Sequence, residues 1–385
     1  MRQIYLDHNA TTPVRKEVLD AMMPYFAEDY GNASSVYSMG QKARHAIDEA
    51  REAIGYTLGT EAADIIFTSG GTESDNFAIK GVAMANLNKG RHVITSSTEH
   101  LAVLEPCRFI EKELGFDVTY LPVDKYGIID LDKLKDSIRK DTVLISIMFA
   151  NNETGTIQPV KEIAKIAHEN KIYFHTDGVQ VLGKMPIDVE ELGIDLCSFS
   201  GHKVYGPKGI GALYLRKGVK ITPFQHGGHH ERNKRAGTEN VAAIVGFAKA
   251  VEIAARDMKK NEAHLKGLAK KMWEGLSKEL KELYLNGHPE KRLSSTLNIS
   301  FRYIEGESMV LNFDMKGIYA STGSACTSGS LEPSHVLTAM GVPPDMAQGS
   351  VRFSFGYENT EEDVDYCLTE IPPIIERLRK MSPLC

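Results

Sequence analysis

One segment shows the pattern that indicates the fold class: DIIFTSGGTESDNFAIKGVAMANL, residues 64–87. It begins as a short β-rich apolar run, passes two glycines and continues with a helical pattern. The same alternation recurs in RHVITSS and AVLEPCRFIEKEL, and again in TVLISIMFA and VKEIAKIAHEN. Strands that alternate with helices in this way are typical of a mostly parallel sheet covered by helices on both faces. The sequence therefore predicts an α/β fold.

The pattern changes from about Asn240 onward. Apolar residues then recur at spacings of three and four, which predicts a long amphipathic helix; they are Leu265, Leu268, Met272, Leu276, Leu280 and Leu283. The later segments SSTLNISF, KGIYAS and SVRFSFG are typical of strands, with helices expected near 306–315, 334–340 and 360–380. We therefore predict a large α/β domain at 14–255 and a smaller α+β domain made of 1–13 and 256–385.

The bulk composition excludes several classes of protein. The chain has 385 residues, 42% hydrophobic and 25% charged, which is ordinary for a folded protein of two domains. A net charge of −6 does not favour binding to a nucleic-acid backbone. No apolar run has the length of a membrane span, and the N-terminus lacks a signal-peptide stretch. We expect a cytoplasmic protein without membrane or nucleic-acid partners.

The cysteines point to one unusual position. Their number, five, is odd and no pair has CxxC spacing, which argues against a disulfide framework or a structural zinc site. We expect the apolar segments around Cys107, Cys197 and Cys367 to bury these three. Cys326 instead lies among small residues, in STGSACTSGS at 321–330, which predicts an exposed and mobile loop. From its context alone it could be incidental, a metal ligand or a nucleophile.

Polar residues follow the predicted strands at their carboxyl ends, where open α/β sheets bind ligands. GGTES at 70–74 offers helix N-terminal amides to a phosphate, although a glycine turn with a threonine cap would have the same sequence. His100 could stack on a ring, carry protons or only cap a helix. Asn151 and Asn152 offer amide groups, or form an ordinary Asx turn.

Two more strand ends carry charged residues. Asp177 follows KIYFHT, and a buried carboxylate needs a cationic partner, such as a protonated pyridine nitrogen, unless it caps a helix. Lys203 and His202 lie in SFSGHKVYGPKGIG, an irregular turn fixed by glycines and a proline, so Lys203 is a candidate amine nucleophile. A phosphate cup, an aspartate, a ring-stacking histidine and a reactive lysine are the parts of a pyridoxal 5'-phosphate site.

Seven motifs resemble those of one known family. YLDHNATT, FTSGGTESDN, TEH, NNETG, SFSGHKVYGPKGIG, RAGTENV and TGSACTS are similar, in order and spacing, to those of the NifS/IscS-like cysteine desulfurases. The resemblance implies a fold-type I enzyme with the aspartate aminotransferase fold, a homodimer and a pyridoxal phosphate cofactor. It implies conversion of L-cysteine to L-alanine, with the sulfur left as a persulfide on Cys326. The sulfur would supply iron–sulfur cluster assembly or other thio-cofactors, through an IscU-like scaffold protein or another acceptor.

The resemblance also assigns roles to individual residues. It implies that Lys203 is the Schiff-base lysine, that His100 stacks on the ring and moves protons, and that Cys326 accepts the sulfur. Asp177 matches the partner of the pyridine nitrogen, and Gln180 the donor to the phenolic oxygen. The residues implied to bind the cofactor phosphate are Gly71, Thr72, Ser200 and His202, with Thr238 from the other subunit. Those implied to hold the substrate carboxylate are Arg352 and Asn152, and Asn152 also contacts the cofactor.

Some features depart from the family pattern. His8 stands where asparagine or tyrosine is common, Tyr37 where histidine is common, and Gly178 where alanine is common. The chain ends at MSPLC without the C-terminal extension that helps relatives dock the scaffold protein, so any scaffold binding is expected to be weaker or to use another surface.

Two other functions remain open at this stage. One is a selenocysteine lyase or a related lyase or aminotransferase on the same fold, against which TGSACTS argues because a transaminase needs no mobile thiol. The other is a cluster-assembly partner that uses Cys326 as an iron–sulfur ligand in a scaffold complex. No metal is required by the enzymatic hypotheses. The group His226, His229, His230 and Glu231 is interpreted as a loop at the cofactor and the dimer interface rather than as a metal site.

Overall fold

Strands and helices alternate through most of the chain, as predicted. The computed structural model describes residues 2–223, 225–322 and 333–382. Its strands are β1 (Ile4–Tyr5), β2 (Ile65–Thr68), β3 (His92–Ser96), β4 (Asp117–Leu121), β5 (Thr142–Ser146), β6 (Tyr173–Asp177), β7 (Leu196–Ser200), β8 (Gly211–Leu215), β9 (Leu283–Asn286), β10 (Thr296–Phe301), β11 (Ile318–Tyr319), β12 (Ser321–Thr322) and β13 (Ser350–Ser354). Its α-helices are α1 (Lys16–Met22), α2 (Pro24–Ala27), α3 (Ser38–Leu58), α4 (Gly71–Ala85), α5 (Leu101–Leu114), α6 (Leu131–Asp136), α7 (Val160–Glu169), α8 (Val241–Glu279), α9 (Gly306–Asp314), α10 (His335–Ala339), α11 (Pro344–Gln348) and α12 (Glu361–Met381).

The large sheet has seven strands in the order β2-β8-β7-β6-β5-β3-β4. Strands β7, β6, β5, β3 and β4 are mutually parallel, and β8 runs antiparallel to both of its neighbours. Its buried side chains form one cluster with α1, α3, α7 and the start of α8, and another with α4 and α5. Helical crossovers between parallel strands place helices on both faces of the sheet, which is why these strands are apolar on both sides. The predicted α/β fold class, with a mostly parallel large sheet, is confirmed.

A smaller α+β portion follows, also as predicted. Strands β12-β13-β10-β9 form an antiparallel sheet, and β1 pairs in parallel with β11. The second half of α8, with α9 and α12, packs on this sheet around fully buried residues such as Met272, Phe301 and Phe353. The N-terminus therefore contributes its first strand to the part of the fold that otherwise comes from the C-terminal third.

Helix α8 belongs to both portions. Its residues from Ala242 to Ala254 pack in the core of the large sheet, and those from Leu265 to Leu276 pack in the core of the small one. The helix is continuous across residues 255 and 256, and the domain limits stated from the sequence stay a prediction.

The end of this helix was predicted too late. It ends at Glu279, and Leu280 already has extended backbone with φ −108° and ψ 135°. Leu283 begins β9, which pairs with β10 of the same core. Apolar spacing continued past the helix because the strand after it packs in the same cluster, so the periodicity could not show where the helix ends.

The described cysteines behave as the sequence suggested, since Cys107, Cys197 and Cys367 are buried free thiols. Cys326 and the predicted mobile loop around it lie outside the described residues. Among the helices of the described residues, we find none with the length and apolarity needed to cross a membrane. The described part of the chain also holds no group of three or more histidine, cysteine or acidic residues arranged to bind a metal ion.

A buried ion pair anchors the loop that follows β8. Arg51 on α3 donates from Nη1 and Nη2 to the two carboxylate oxygens of Glu231, at 2.7 and 2.8 Å. The Glu231 carboxylate also accepts from the backbone N–H of Phe67 at 3.0 Å, and both paired side chains are almost fully buried. The pair therefore links α3 and β2 to the loop that carries RAGTENV.

Replacement of Arg51 by methionine leaves the Glu231 carboxylate buried without its cation. We expect Arg51→Met to lower the free energy of unfolding by about 3–5 kcal/mol, measured by denaturant titration. Lys161→Met is the control, because Lys161 pairs with Glu191 in solvent and should change stability by less than about 1 kcal/mol. Equal stability of the two variants would contradict a structural role for the buried pair.

Candidate active site

A cavity of about 300 Å³ lies at the carboxyl ends of β3, β5, β6 and β7. These strand ends are adjacent because the strands are parallel, which is where open α/β sheets bind ligands. The cavity is lined by ten residues singled out from the sequence: Gly71, Thr72, His100, Asn152, Asp177, Gln180, Ser200, His202, Lys203 and Arg352. Residues from distant parts of the chain thus meet in one site.

One described residue of the predicted site does not line this cavity. Thr238 is exposed, on the loop anchored by Glu231. Cys326 lies outside the described residues. The other ten predicted site residues all line the cavity.

Lys203 is held by the N-terminal segment, which we define as residues 7–12. The lysine is the last residue of a single helical turn, Gly201–Lys203, directly after β7. Its Nζ donates to the backbone carbonyl oxygens of Asn9 at 2.6 Å and Ala10 at 2.8 Å. The amine therefore has a fixed position in the wall of the cavity.

Asp177 is a buried carboxylate at the end of β6. One of its oxygens accepts from the backbone N–H of Val179 at 2.9 Å. Burial raises the pKa of Asp177 to about 6, and the positive charge of Lys203 opposes this rise. A carboxylate that is costly to ionise in the absence of a ligand is stabilised by a cation that enters the cavity.

A second buried carboxyl group, Asp75 on α4, also lines the cavity. Burial and the nearby Asp177 charge hold the pKa of Asp75 well above its ordinary range. Its Oδ1 accepts no hydrogen bond among the described residues but lies 3.5 Å from His175 Nε2. Asp75 was missed in the sequence, although it stands in the quoted motif FTSGGTESDN, four residues after Gly71 and so on the same face of α4.

His100 serves as a helix cap and as a cavity residue at once. Its Nδ1 accepts from the backbone N–H of Ala102 at 3.1 Å, at the start of α5. The neutral ring therefore carries its proton on Nε2. Burial, with the positive charges of Lys203, His335 and Arg352, lowers the pKa of His100 to about 4. At neutral pH the ring is an uncharged surface suited to stacking.

The N-terminus of α4 forms the end of the cavity suited to an anion. Gly70 is the N-cap and α4 begins at Gly71, so the interpretation of Thr72 as a capping residue was wrong. Thr72 instead lies in the first turn and lines the cavity together with Ser200. The first-turn amides and the helix dipole favour an anion here. A side chain at Gly71 would lie 2.7 Å from Val179 Cγ2, so glycine is needed for this close approach.

Arg352 on β13 is almost fully buried and lines the cavity. Its Nη1 donates to the backbone oxygen of Asn152 at 3.1 Å, and its Nη2 donates to Asp7 Oδ1 at 2.8 Å. Its Nε is buried without a hydrogen-bond partner among the described residues. A guanidinium with an unsatisfied donor is suited to a carboxylate ligand.

The three departures noted in the sequence have different structural settings. A side chain at Gly178 would lie 2.6 Å from Cys197 Sγ, so alanine does not fit there without a shift. His8 is buried, with Nδ1 3.0 Å from the backbone oxygen of Ser354. Tyr37 is 59% exposed.

The donor set of the cavity fits pyridoxal phosphate. It combines an anion site at a helix N-terminus, a buried carboxylate for a ring nitrogen, an uncharged imidazole for stacking and an amine for the aldehyde. The raised pKa of the buried Asp177 carboxylate is what a cationic ring nitrogen would relieve. Other lining residues had no predicted role; they are Asn9, Ala10, Ala102, Met148, Ala150 and Val179.

Comparison with known proteins agrees with this chemistry. The aminotransferase class-V family matches residues 4–367. A protein of Methanosarcina thermophila named cysteine desulfurase IscS is 58% identical over 383 residues, covering 100% of this chain and 94% of its own. A solved structure described as a NifS-like protein has a TM-score of 0.93 and 42% identity, covering 98% of this chain and 100% of its own. Another, described as SspA in complex with cysteine, has a TM-score of 0.81 and 39% identity, covering 92% and 99%.

The raised pKa of Asp177 makes the stability of the cofactor-free protein depend on pH. The folded state binds this proton more tightly than the unfolded state, whose pKa is near 3.8. Stability is therefore lost as pH rises from about 4 through about 6. We expect Asp177→Asn to melt at a higher temperature than the wild type above this window, and the difference to shrink below it. Asp132→Asn, at an exposed position, is the control, and a pH-independent difference for Asp177→Asn would contradict the shift.

Proposed function

The chain belongs to the aminotransferase class-V family, among its NifS/IscS-like cysteine desulfurases, and we propose that it converts L-cysteine to L-alanine with transfer of the sulfur to Cys326. The observation that carries the proposal is the cavity in which Lys203, Asp177 and the uncharged ring of His100 meet beside the N-terminus of α4. A relative of 39% identity has been solved with cysteine bound, which supports cysteine as the substrate class.

The enzyme depends on pyridoxal phosphate. In our proposal Lys203 binds its aldehyde, Asp177 pairs with its ring nitrogen, Gln180 donates to its phenolic oxygen and His100 stacks on the ring. The groups proposed for its phosphate are Gly71, Thr72, Ser200 and His202, with Asn152 nearby. When bound, the cofactor withdraws electrons from the substrate, which stabilises negative charge at Cα and weakens the Cβ–S bond.

Arg352 and Asn152 orient the substrate in this proposal. The Asp7 carboxylate and the backbone oxygen of Asn152 fix the guanidinium plane, and the buried Nε supports a role for Arg352 as carboxylate receptor. A guanidinium fixed in this way loses little entropy when the substrate carboxylate arrives.

Lys203 is the proposed base for the substrate α-proton. The carbonyl oxygens of Asn9 and Ala10 fix the direction from which Nζ reaches the cavity, which limits the loss of entropy during proton transfer. His100 is uncharged near neutral pH and its Nδ1 accepts from Ala102, so we assign it to stacking and to a hydrogen bond donated from Nε2–H.

Cys326 receives the sulfur in this proposal. Its thiolate attacks the substrate sulfur, an S–S bond forms and the Cβ–S bond breaks. The electron pair of the broken bond stays with the substrate carbons, which take up a proton and leave as alanine. The persulfide then passes to an acceptor, for which an iron–sulfur scaffold protein of the IscU type is the proposed partner.

The proposed assembly is a homodimer whose sites share Thr238. Its exposure, away from the cavity of its own chain, supports a contact with the phosphate in the partner chain. Large apolar side chains are also exposed near the N-terminus, among them Phe26, Tyr30 and Val36 at 60%, 67% and 87%. Such side chains favour burial against a second copy. We further propose a cytoplasmic location, which the buried free thiols of the described part of the chain support.

The activity is tested with purified, cofactor-loaded protein and L-cysteine, by measuring alanine and the sulfur added to the peptide that contains Cys326. We expect one alanine for each cysteine consumed and one sulfur added to the Cys326 peptide. Alanine formation should fall by about 100-fold or more in Lys203→Ala and should collapse in Cys326→Ser. Cys107→Ser controls for the loss of a thiol, because Cys107 is buried away from the cavity. Absence of alanine with wild-type protein would refute the proposal. Activity of Cys326→Ser on selenocysteine alone would favour the lyase.

The shared site is tested by mixing two variants that each damage a different part of it. Lys203→Ala and Thr238→Ala homodimers are unfolded, mixed and refolded with cofactor. If Thr238 acts across the interface, the mixed dimer contains one undamaged site, so about a quarter of all sites should regain wild-type cofactor affinity and activity. No recovery beyond the average of the two parent variants would show that Thr238 acts within its own chain or not at all.

A further inference from the structure

Lys184 lies directly behind the cavity, where the established motifs assign it no role. Its Nζ donates to the side-chain oxygen of Gln180 at 3.0 Å and to the side-chain oxygen of Asn9 at 3.1 Å. Gln180 and Asn9 are 5% and 2% exposed, so neither amide can exchange these bonds for water. Lys184 therefore supplies hydrogen bonds that the two amides would otherwise lack.

The chemistry of the lysine determines which way each amide faces. A lysine ammonium group donates hydrogen bonds and accepts none, and an amide has one accepting atom, its oxygen. The Gln180 oxygen must consequently face Lys184, and its NH2 group must face the other way. That group donates to the backbone oxygen of Asn9 at 3.1 Å and lies at the edge of the cavity.

The same contact fixes Asn9. With its oxygen on Lys184, the Asn9 side-chain NH2 donates to Thr296 Oγ1 at 2.9 Å and to the backbone oxygen of Asn152 at 3.1 Å. The backbone oxygen of Asn9 in turn accepts from Lys203 Nζ. Rotation of either amide by half a turn would place its NH2 group against the Lys184 amine.

We infer that Lys184 is a positioning residue that keeps the NH2 group of Gln180 directed at the phenolic oxygen of pyridoxal phosphate. This rests on the proposed function, because it concerns the cofactor site. Burial and the nearby charges of Lys203 and Arg352 lower the pKa of Lys184 to about 7. Below that pKa the ammonium group has no acceptor and fixes both amides; the neutral amine keeps two N–H groups for the same two bonds, but its lone pair does not exclude the reversed amide orientation.

The test is a pH titration of the visible absorption of the bound cofactor. A hydrogen bond donated to the phenolic oxygen stabilises the more negative, deprotonated form, so loss of the donor raises the titration midpoint. We expect Gln180→Ala and Lys184→Met each to raise it by about one pH unit, as for one hydrogen bond to a charged oxygen. The double variant should match Gln180→Ala alone, because Lys184 acts through Gln180.

Lys161→Met, a surface lysine replaced in the same way, should titrate as the wild type. An unshifted midpoint in Lys184→Met, or an equal further shift when it is added to Gln180→Ala, would overturn the inference. If Lys184→Met does not fold, Lys184→Gln replaces it in the test, because glutamine keeps an N–H donor and should shift the midpoint by less. A wild-type midpoint in Lys184→Gln, combined with weaker retention of the cofactor, would also overturn the inference. Failure of the proposed function would look different, since the wild type would then form no alanine from L-cysteine, whatever its titration midpoint.

Discussion

The contact between Lys203 Nζ and the backbone carbonyls of Asn9 and Ala10 is the constraint on which the rest of the site depends. The N-terminal segment that supplies these carbonyls leaves the small sheet and crosses to the large one. At its start Asp7 binds Arg352 of the small sheet, and at its end the backbone N–H of Thr12 donates to the oxygen of His202. One short segment thereby sets the distance between the amine and the guanidinium, which belong to different sheets.

The charges around the cavity are arranged before any ligand binds. Lys203 and Arg352 supply positive charge, and burial raises the pKa of both carboxyl groups, Asp75 and Asp177. A site with one ionised carboxylate at its end accepts a cationic ring nitrogen, whereas two ionised groups there would repel each other. Fixed dipoles and charges of this kind need little reorganisation during reaction. The apolar burial in the two hydrophobic cores offsets the free energy needed to hold these charges in the folded protein.

Much of the site was predictable because it follows from a rule about sheets. His100, Asn152, Asp177 and Lys203 come after four different strands, and parallel strands bring their carboxyl ends to one edge. The capping role of Thr72 was wrong because glycine, not threonine, takes the N-cap position of α4. For His100, helix capping and a role in the site were treated as alternatives, but this residue both caps α5 and lines the cavity. Local sequence cannot separate such cases, because one side chain can satisfy a backbone group and face a ligand.

The sequence by itself determined the order of strands and helices, the strand ends that carry chemistry and, through its motifs, the family. These properties depend on short spacings, which determine the face of a helix or strand on which a residue lies. Only the tertiary structure decided that Asn9 supports Lys203 across 194 residues of chain, that Asp75 shares the cavity with Asp177, and that Lys184 sets the orientation of Gln180. The physical reason is that hydrogen bonds and buried charges act over a few ångströms in space, and distances along the chain do not determine which groups come that close.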